Sequence, residues 1–220
     1  GHSSLHLSNG AQHIMLDPFI KPNPIASHVD VSAIKADAVL LSHGHADHVA
    51  DAREIAENNQ APIIANFEVA GWFQTQGYEN CVPMNHGGEV AVGDFTAKYT
   101  PAIHTSSMPD GSYGGEPGGF VIREGGQSIY FAGDTALDMN MKLIGELEQI
   151  DLAILPIGGH FTMGYADAII AADFVQCDRV LGIHFDTFPP ITIDQQKVQN
   201  AFAEAGKELI LLNIEESVEV

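Results

Sequence analysis

Four side chains able to bind a metal, His43, His45, Asp47 and His48, fall within six consecutive positions of the segment SHGHADH at 42–48. The segment directly follows an apolar run that reads as a strand, and it opens a run that reads as a helix. Residues two apart on an extended turn point the same way, so His43 and His45 can grip one metal. Asp47 and His48 continue into the helix and can face a second. A lone histidine is usually a surface or satisfied core residue, but a chance cluster on a solvated turn does not account for this spacing. Three more candidates share one placement, just beyond an apolar or β-rich run. His104 follows FTAKYTPAI, Asp134 follows SIYFAG and His184 follows RVLGI. Taken singly, His104 or His184 reads equally well as a core histidine. Functional groups in α/β sheets collect at the carboxyl ends of strands, so converging strand ends would gather all of these side chains at one edge.

The elements that must do this positioning are short β-rich runs alternating with glycine-bearing turns and a few amphipathic helices. Strands are predicted at 13–16, 38–42, 62–65, 94–100, 119–123, 128–132, 152–156, 179–183 and 208–213. Helices are predicted at 47–58, 138–148, 165–176 and 194–205. The first carries Val49, Ala52, Ile55 and Ala56 on one stripe, and the last carries Val198, Ala201, Phe202 and Ala205. Several of the strands are continuously apolar, which points to sheets buried on both faces with helices outside them, an α/β sandwich. The longest stretch without structure is 104–118, HTSSMPDGSYGGEPG, a length usual for mobile or functional loops. A second polar, proline-bearing loop, 185–192, follows His184.

With 220 residues, 45% of them hydrophobic, the chain can bury one sizeable core and reads as a single domain over 1–220. Its longest apolar runs, AVLL at 38–41 and AIIAA at 168–172, fall far short of a membrane span. No basic segment followed by an apolar stretch opens the chain, although its first residue is not methionine. Cys81 and Cys177 read as buried free thiols of a cytoplasmic protein, without the neighbours of a nucleophile or a zinc–thiolate site. The chain carries 29 acidic against 9 basic residues, a formal charge of −20. A field of that sign repels phosphate backbones and anionic membranes, which leaves a small-molecule substrate and is compatible with a homo-oligomer.

SHGHADH resembles the H-x-H-x-D-H signature of the metallo-β-lactamase superfamily, and FAGDT around Asp134 looks like its bridging-aspartate segment. The resemblance runs over nearly the whole chain. Its nearest form is the metal-dependent hydrolase branch related to L-ascorbate-6-phosphate lactonase. LDPF at 16–19, MNHGG at 84–88, GEPGGFVI at 115–122, MKLIGEL at 141–147, LPIGGHFTMG at 155–164 and IHFDTFPPI at 183–191 all look like that branch. The resemblance implies an αββα sandwich, two packed sheets with helices on their outer faces. It also implies one metal on His43, His45 and His104, another on Asp47, His48 and His184, and Asp134 bridging both. Members of that branch carry a short strand before the segment that corresponds to Gly1-His2-Ser3, where this chain begins, and His2 is left without a role.

Two divalent ions about 3.5–4 Å apart can share a water and bring its pKa to about neutrality, giving a bridging hydroxide. A histidine-rich set with two carboxylates suits zinc, with manganese, iron and nickel as alternatives. Asp47 would orient the hydroxide and accept its proton, and no serine or cysteine nucleophile is needed. His160, in GGHFTMG, again stands just past an apolar strand. It is expected at the same edge, contacting substrate or donating a proton; the competing reading is a supporting or structural histidine. His86 in NHGG reads as a turn residue, and Tyr113 and Glu116 in the long loop are candidates for the pocket wall.

The expected function is hydrolysis of an ester, lactone or phosphoester bond in a small molecule. A di-iron redox enzyme of the same fold is the first alternative, but the histidine at position 45 stands where that branch resembles H-x-E-x-D-H. A metal-dependent nuclease would need a basic arm or domain, and a non-catalytic binding module would be expected to have lost some of the ligands. With a charge of −20, binding to duplex or single-stranded nucleic acid should be undetectable at physiological salt in an anisotropy assay. Tight, salt-sensitive binding would overturn the small-molecule reading.

Overall fold

The central strands are apolar on both faces, and alternation divides their side chains between an inner and an outer core. The computed structural model, which describes residues 1–220, has two sheets. One has the order β1 (Leu5–Ser8), β2 (His13–Leu16), β3 (Ala38–Leu40), β4 (Ile63–Asn66), β5 (Cys81–Met84). The other contains β6 (Glu89–Val92), β7 (Phe95–Pro101), β8 (Gly118–Glu124), β9 (Gln127–Phe131), β10 (Leu152–Pro156), β11 (Arg179–Ile183) and β12 (Glu208–Ile210). Its order is β12-β11-β10-β9-β8-β7-β6. Ile14, Leu16, Leu40, Phe120, Phe131 and Ile154 meet between the sheets. Met15, Val39 and Leu41 point outward, onto α1 (Ala46–Val49), α2 (Ala52–Asn59) and α3 (Phe67–Thr75). Val121, Tyr130, Ala153 and Leu155 point outward on the other side, onto α4 (Asn140–Leu147), α5 (Tyr165–Phe174) and α6 (Gln195–Glu204). The fold is an αββα sandwich of the metallo-β-lactamase type.

Strand direction brings the chemistry to one edge. β2, β3 and β4 run parallel, and so do β9, β10 and β11. β8 is antiparallel to both β7 and β9, so β7 runs with β9. The carboxyl ends of β2 and β3 and those of β7, β9 and β11 therefore deliver Asp17, His43, His104, Asp134 and His184.

The structure departs from the predicted elements mainly at sheet edges. β1, β5 and β6 lie at edges, and none of them was predicted. Each is short and half exposed, so it lacks the continuous apolar run of a central strand; Pro83 in β5 is tolerated there because an edge leaves one side of the ladder unpaired. β12 also ends earlier than predicted. The predicted helix 47–58 is two helices, because Asp51 turns its carboxylate to the N–H groups of Ile20 and Lys21, at 2.6 and 3.1 Å. α3 was not predicted from its mixed, glycine-containing sequence, and its start is set by Asn66. No helix is long and apolar enough to cross a membrane.

Asn66 also holds the long loop. It is 2% exposed. Its Oδ1 accepts from Val69 N at 2.9 Å, capping α3, and its Nδ2 donates to the carbonyls of Gly114 and Glu116 at 2.8 and 3.1 Å. Asn66→Ala should therefore lose a cap and two hydrogen bonds to the loop, leaving Gly114 O to Ser106 Oγ and Glu116 O to Tyr99 Oη, and lower stability by about 1–3 kcal/mol. Urea unfolding of metal-saturated protein checks this, and a change below about 0.5 kcal/mol would show that the loop is held elsewhere.

Candidate metal centre

The buried carboxylate of Asp17 organises the centre from beneath. The residue directly follows β2, is fully buried, and sits at φ +40°, a left-handed conformation that non-glycine residues adopt at a cost. Its Oδ1 accepts from Ser42 N at 2.7 Å, and its Oδ2 accepts from Ser42 Oγ at 2.5 Å and from His48 Nδ1 at 2.7 Å. A carboxylate only accepts, so Ser42 spends its hydroxyl proton on Asp17 and must accept from His43 Nδ1, 2.9 Å away. Both histidines thus carry a proton on Nδ1 and turn Nε2 upward, open to a metal or, without one, to a second proton. This is how supporting hydrogen bonds set the tautomer of a metal-binding imidazole.

Two groups of ligand atoms stand above this base. His43, His45 and His104 form one; His2, Asp47, His48 and His184 form the other; within each, the atoms lie within 4.8 Å of one another. His43 Nε2 and His45 Nδ1 are 2.9 Å apart. Two nitrogens on one tetrahedral zinc, each at about 2.0–2.1 Å, would be separated by roughly 3.3 Å. Asp134 lies between the groups: its Oδ2 is 3.3 Å from His48 Nε2, 3.6 Å from His104 Nε2 and 3.0 Å from His184 Nε2. His48 Nε2 and Asp134 Oδ1 are buried and make no hydrogen bond. Inward-facing groups at these spacings, with no hydrogen-bond partner of their own, suit a shared cation, so the donor set fits metal.

Electrostatics agree. Burial disfavours a charged His48 ring, but Asp134 and Asp17 outweigh it and hold the ring well above its ordinary pKa. Asp134 is opposed by its own burial yet held well below the usual carboxylate range by His48 and His184. His43, buried and beside His48, is driven well below its ordinary value and presents a neutral imidazole. The proton on His48 occupies the place a metal would take.

His2 belongs to the second group, a place that its sequence context does not assign to it. Its Nε2 donates to Asp47 Oδ2 at 3.1 Å, its Nδ1 lies 3.0 Å from Thr187 Oγ1, and its ring centroid is 4.1 Å from that of His184. Burial lowers its pKa to about 4 against the pull of Asp47, so it is neutral. The β1–β2 pairing brings it to the site, since Leu5 opposite Leu16 sets residue 2 beside the residues after β2. The sequence signal was the Asn9-Gly10 turn, where Asn9 Oδ1 accepts from Ala11 N and Gln12 N. Asp17, absent from the predicted ligands, likewise stands just past a strand, as Asp134 and His184 do.

The predicted ligands His43, His45, Asp47, His48, His104, Asp134 and His184 are all brought together. His160 is not. Gly159 and His160 both have positive φ, +68° and +59°, and the turn leaves His160 exposed with its ring edge-on to Phe161. Phe161, not His160, is among the residues that line the cavity over these ligands. His86 stacks on Tyr99 and bonds Pro117 O, outside the cavity lining; Tyr113 and Glu116 bond each other on the surface. The cavity over the ligands measures about 430 Å³, with His45, Asp47, His104, Asp134 and His184 as its floor. A larger cavity of about 710 Å³, between the first strands and residues 211–220, contains none of the predicted ligands.

Residues 12–185 match the beta-lactamase superfamily domain. The chain is 51% identical over 221 residues to a "UPF0173 metal-dependent hydrolase" of Christiangramia forsetii, covering 100% of this chain and 97% of that protein. It is 43% identical to one from Thermus thermophilus, covering 94% and 89%. The chain belongs to this family of metal-dependent hydrolases. Among solved structures, Igni18, a metallo hydrolase from the archaeon Ignicoccus hospitalis, superimposes with a TM-score of 0.89 at 31% identity, covering 99% of this chain and 94% of that one.

Because a metal must displace the His48 proton, this hydrolase should bind metal more weakly as pH falls through the neutral range. Asp17→Asn puts an amide against His48 Nδ1 and Ser42, upsetting the tautomers; it should weaken metal affinity by about 10–100-fold. Chelator competition between about pH 6 and pH 8 reads both effects. A flat pH profile, or wild-type affinity in Asp17→Asn, would contradict this account of the base.

Proposed function

We propose that this hydrolase holds two divalent ions and cleaves an ester, lactone or phosphoester bond of a small molecule. His43, His45 and His104 would hold one ion, Asp47, His48 and His184 the other, with Asp134 shared. The observation that carries this reading is the position of Asp134 Oδ2, 3.0–3.6 Å from imidazole nitrogens of both groups. The histidine-rich set suits zinc, with manganese, iron or nickel as alternatives.

When bound, two such ions bring a shared water near neutrality in acidity and polarise the oxygen under attack. Asp47 has the geometry to orient that water and take its proton. Its carboxylate is 31% exposed on the cavity floor, and burial, which would raise its pKa, is outweighed by the His2 hydrogen bond and the charge on His48. It therefore stays ionised. His2, anchored by Thr187, fixes which oxygen of Asp47 remains free. The resemblance of segments such as LDPF and IHFDTFPPI to the branch related to L-ascorbate-6-phosphate lactonase favours a lactone or ester. His45, a neutral imidazole where a redox di-iron branch would have a carboxylate, speaks against redox chemistry. The unpaired thiols of Cys81 and Cys177 fit a reducing cytoplasm.

Purified, metal-saturated protein should carry about two ions per chain by elemental analysis, and His48→Ala about one. A panel of esters, lactones and phosphodiesters should show turnover that is lost with chelation. One ion in the wild type, or turnover insensitive to chelator, would sink the dinuclear reading.

A further inference from the structure

The walls above the metal floor have a chemistry of their own. They are Phe161, Phe188, Pro190 and Thr105, carried by the loops after β10, β11 and β7. Phe161 is 52% exposed and Pro190 is exposed, so apolar surface faces open solvent beside a strongly polar floor. The walls are held in place. Phe188 packs near Phe19 and His2, at ring distances of 6.1 and 5.6 Å, and Pro189-Pro190 opens a single helical turn behind it. Asp186 braces the loop by accepting from Ile193 N at 2.9 Å.

What the walls lack is equally informative. None of the nine lysines and arginines lines the cavity. Most are paired with carboxylates elsewhere: Lys21 with Glu54, Arg53 with Glu57, Lys98 and Arg123 with Glu148, Arg179 with Glu208, and Lys207 with Asp173 and Asp178. Beyond the metals themselves, phosphate recognition in proteins draws on arginine, lysine or helix-terminal N–H groups. Two divalent ions would bring four positive charges, and the carboxylates of Asp17, Asp47 and Asp134 would offset three of them. Little remains to neutralise a dianion, and the −20 field of the chain opposes its approach. That same field favours departure of a carboxylate product.

Resting on the hydrolytic reading above, we infer that the cavity selects an uncharged ester or lactone whose apolar substituent lies between Phe161 and Phe188, and disfavours phosphate-bearing substrates.

Two measurements test this. Alkyl hydroxamates of increasing length, which chelate the metals without being turned over, are titrated into metal-loaded protein by calorimetry. Affinity should rise roughly three- to fourfold per methylene until the walls end. Phe161→Ala and Phe188→Ala should flatten that rise while metal content stays at the wild-type level. No rise in the wild type would overturn the inference, as would variants that leave the rise unchanged. In parallel, kcat/KM for p-nitrophenyl butyrate should exceed that for p-nitrophenyl phosphate by at least about tenfold. Parity or reversal would overturn it. A steep rise with length but no ester or lactone turnover would refute the hydrolytic reading and leave the apolar wall standing.

Discussion

A carboxylate in the apolar interior must find donors for both oxygens or lose its charge, and Asp17 meets this constraint with Ser42 N, Ser42 Oγ and His48 Nδ1. Satisfying one buried group ties the end of β2 to the end of β3 and to the first turn of α1. It also decides the tautomers of His43 and His48, and hence which nitrogens remain free for metal. The centre is therefore prepared by the framework before any ion arrives, and the bare nitrogens are a consequence of hydrogen bonding one layer down.

The second sheet is joined to this base through the same residue. The carbonyl of Ser42 accepts from Tyr99 Oη at 2.7 Å and from Gly118 N at 3.0 Å, so the end of β3 is pinned to β7 and the start of β8. Close approach at this seam explains two glycines. Gly133, at φ +62°, lies where a Cβ would stand 2.6 Å from Gly118 O and 2.9 Å from Ser42 Cβ; any side chain would displace the strand end that delivers Asp134. A Cβ on Gly158 would stand 2.1 Å from the carbonyl of His184, forcing that ligand away. His2, Asp17 and His184 all adopt positive φ, so strained backbone is concentrated around the metal centre and is sustained by packing on both sheets.

Charge is divided by depth. The excess carboxylates lie largely on the surface, where they set a repulsive long-range field, while Asp17 and Asp134 are buried among histidines. The cavity between these layers is apolar-walled and free of lysine and arginine. A neutral substrate would cross such a field without penalty and meet charge only at the cavity floor.

The candidate metal ligands were legible in the sequence because they obey two local rules: unusual spacing in SHGHADH, and placement just after strong apolar strands. Central strands announce themselves by continuous burial, so β3, β7, β9, β10 and β11 were located to within a residue or two, and the ligand positions followed. Edge strands bury one face only and gave no such run, which is why β1 was missed and His2 with it. Asp17 carried the strand-end signal, but nothing local distinguishes a carboxylate that supports a ligand from one that turns a loop. His160 obeyed the same rule as His184 and yet is exposed, on a turn where both Gly159 and His160 have positive φ. Residue type and period thus determined the sandwich and its histidine edge, which are properties of neighbours in sequence. Which nitrogens are bare, which aromatic ring walls the cavity and which histidine turns away were decided only by contacts between residues far apart in the chain.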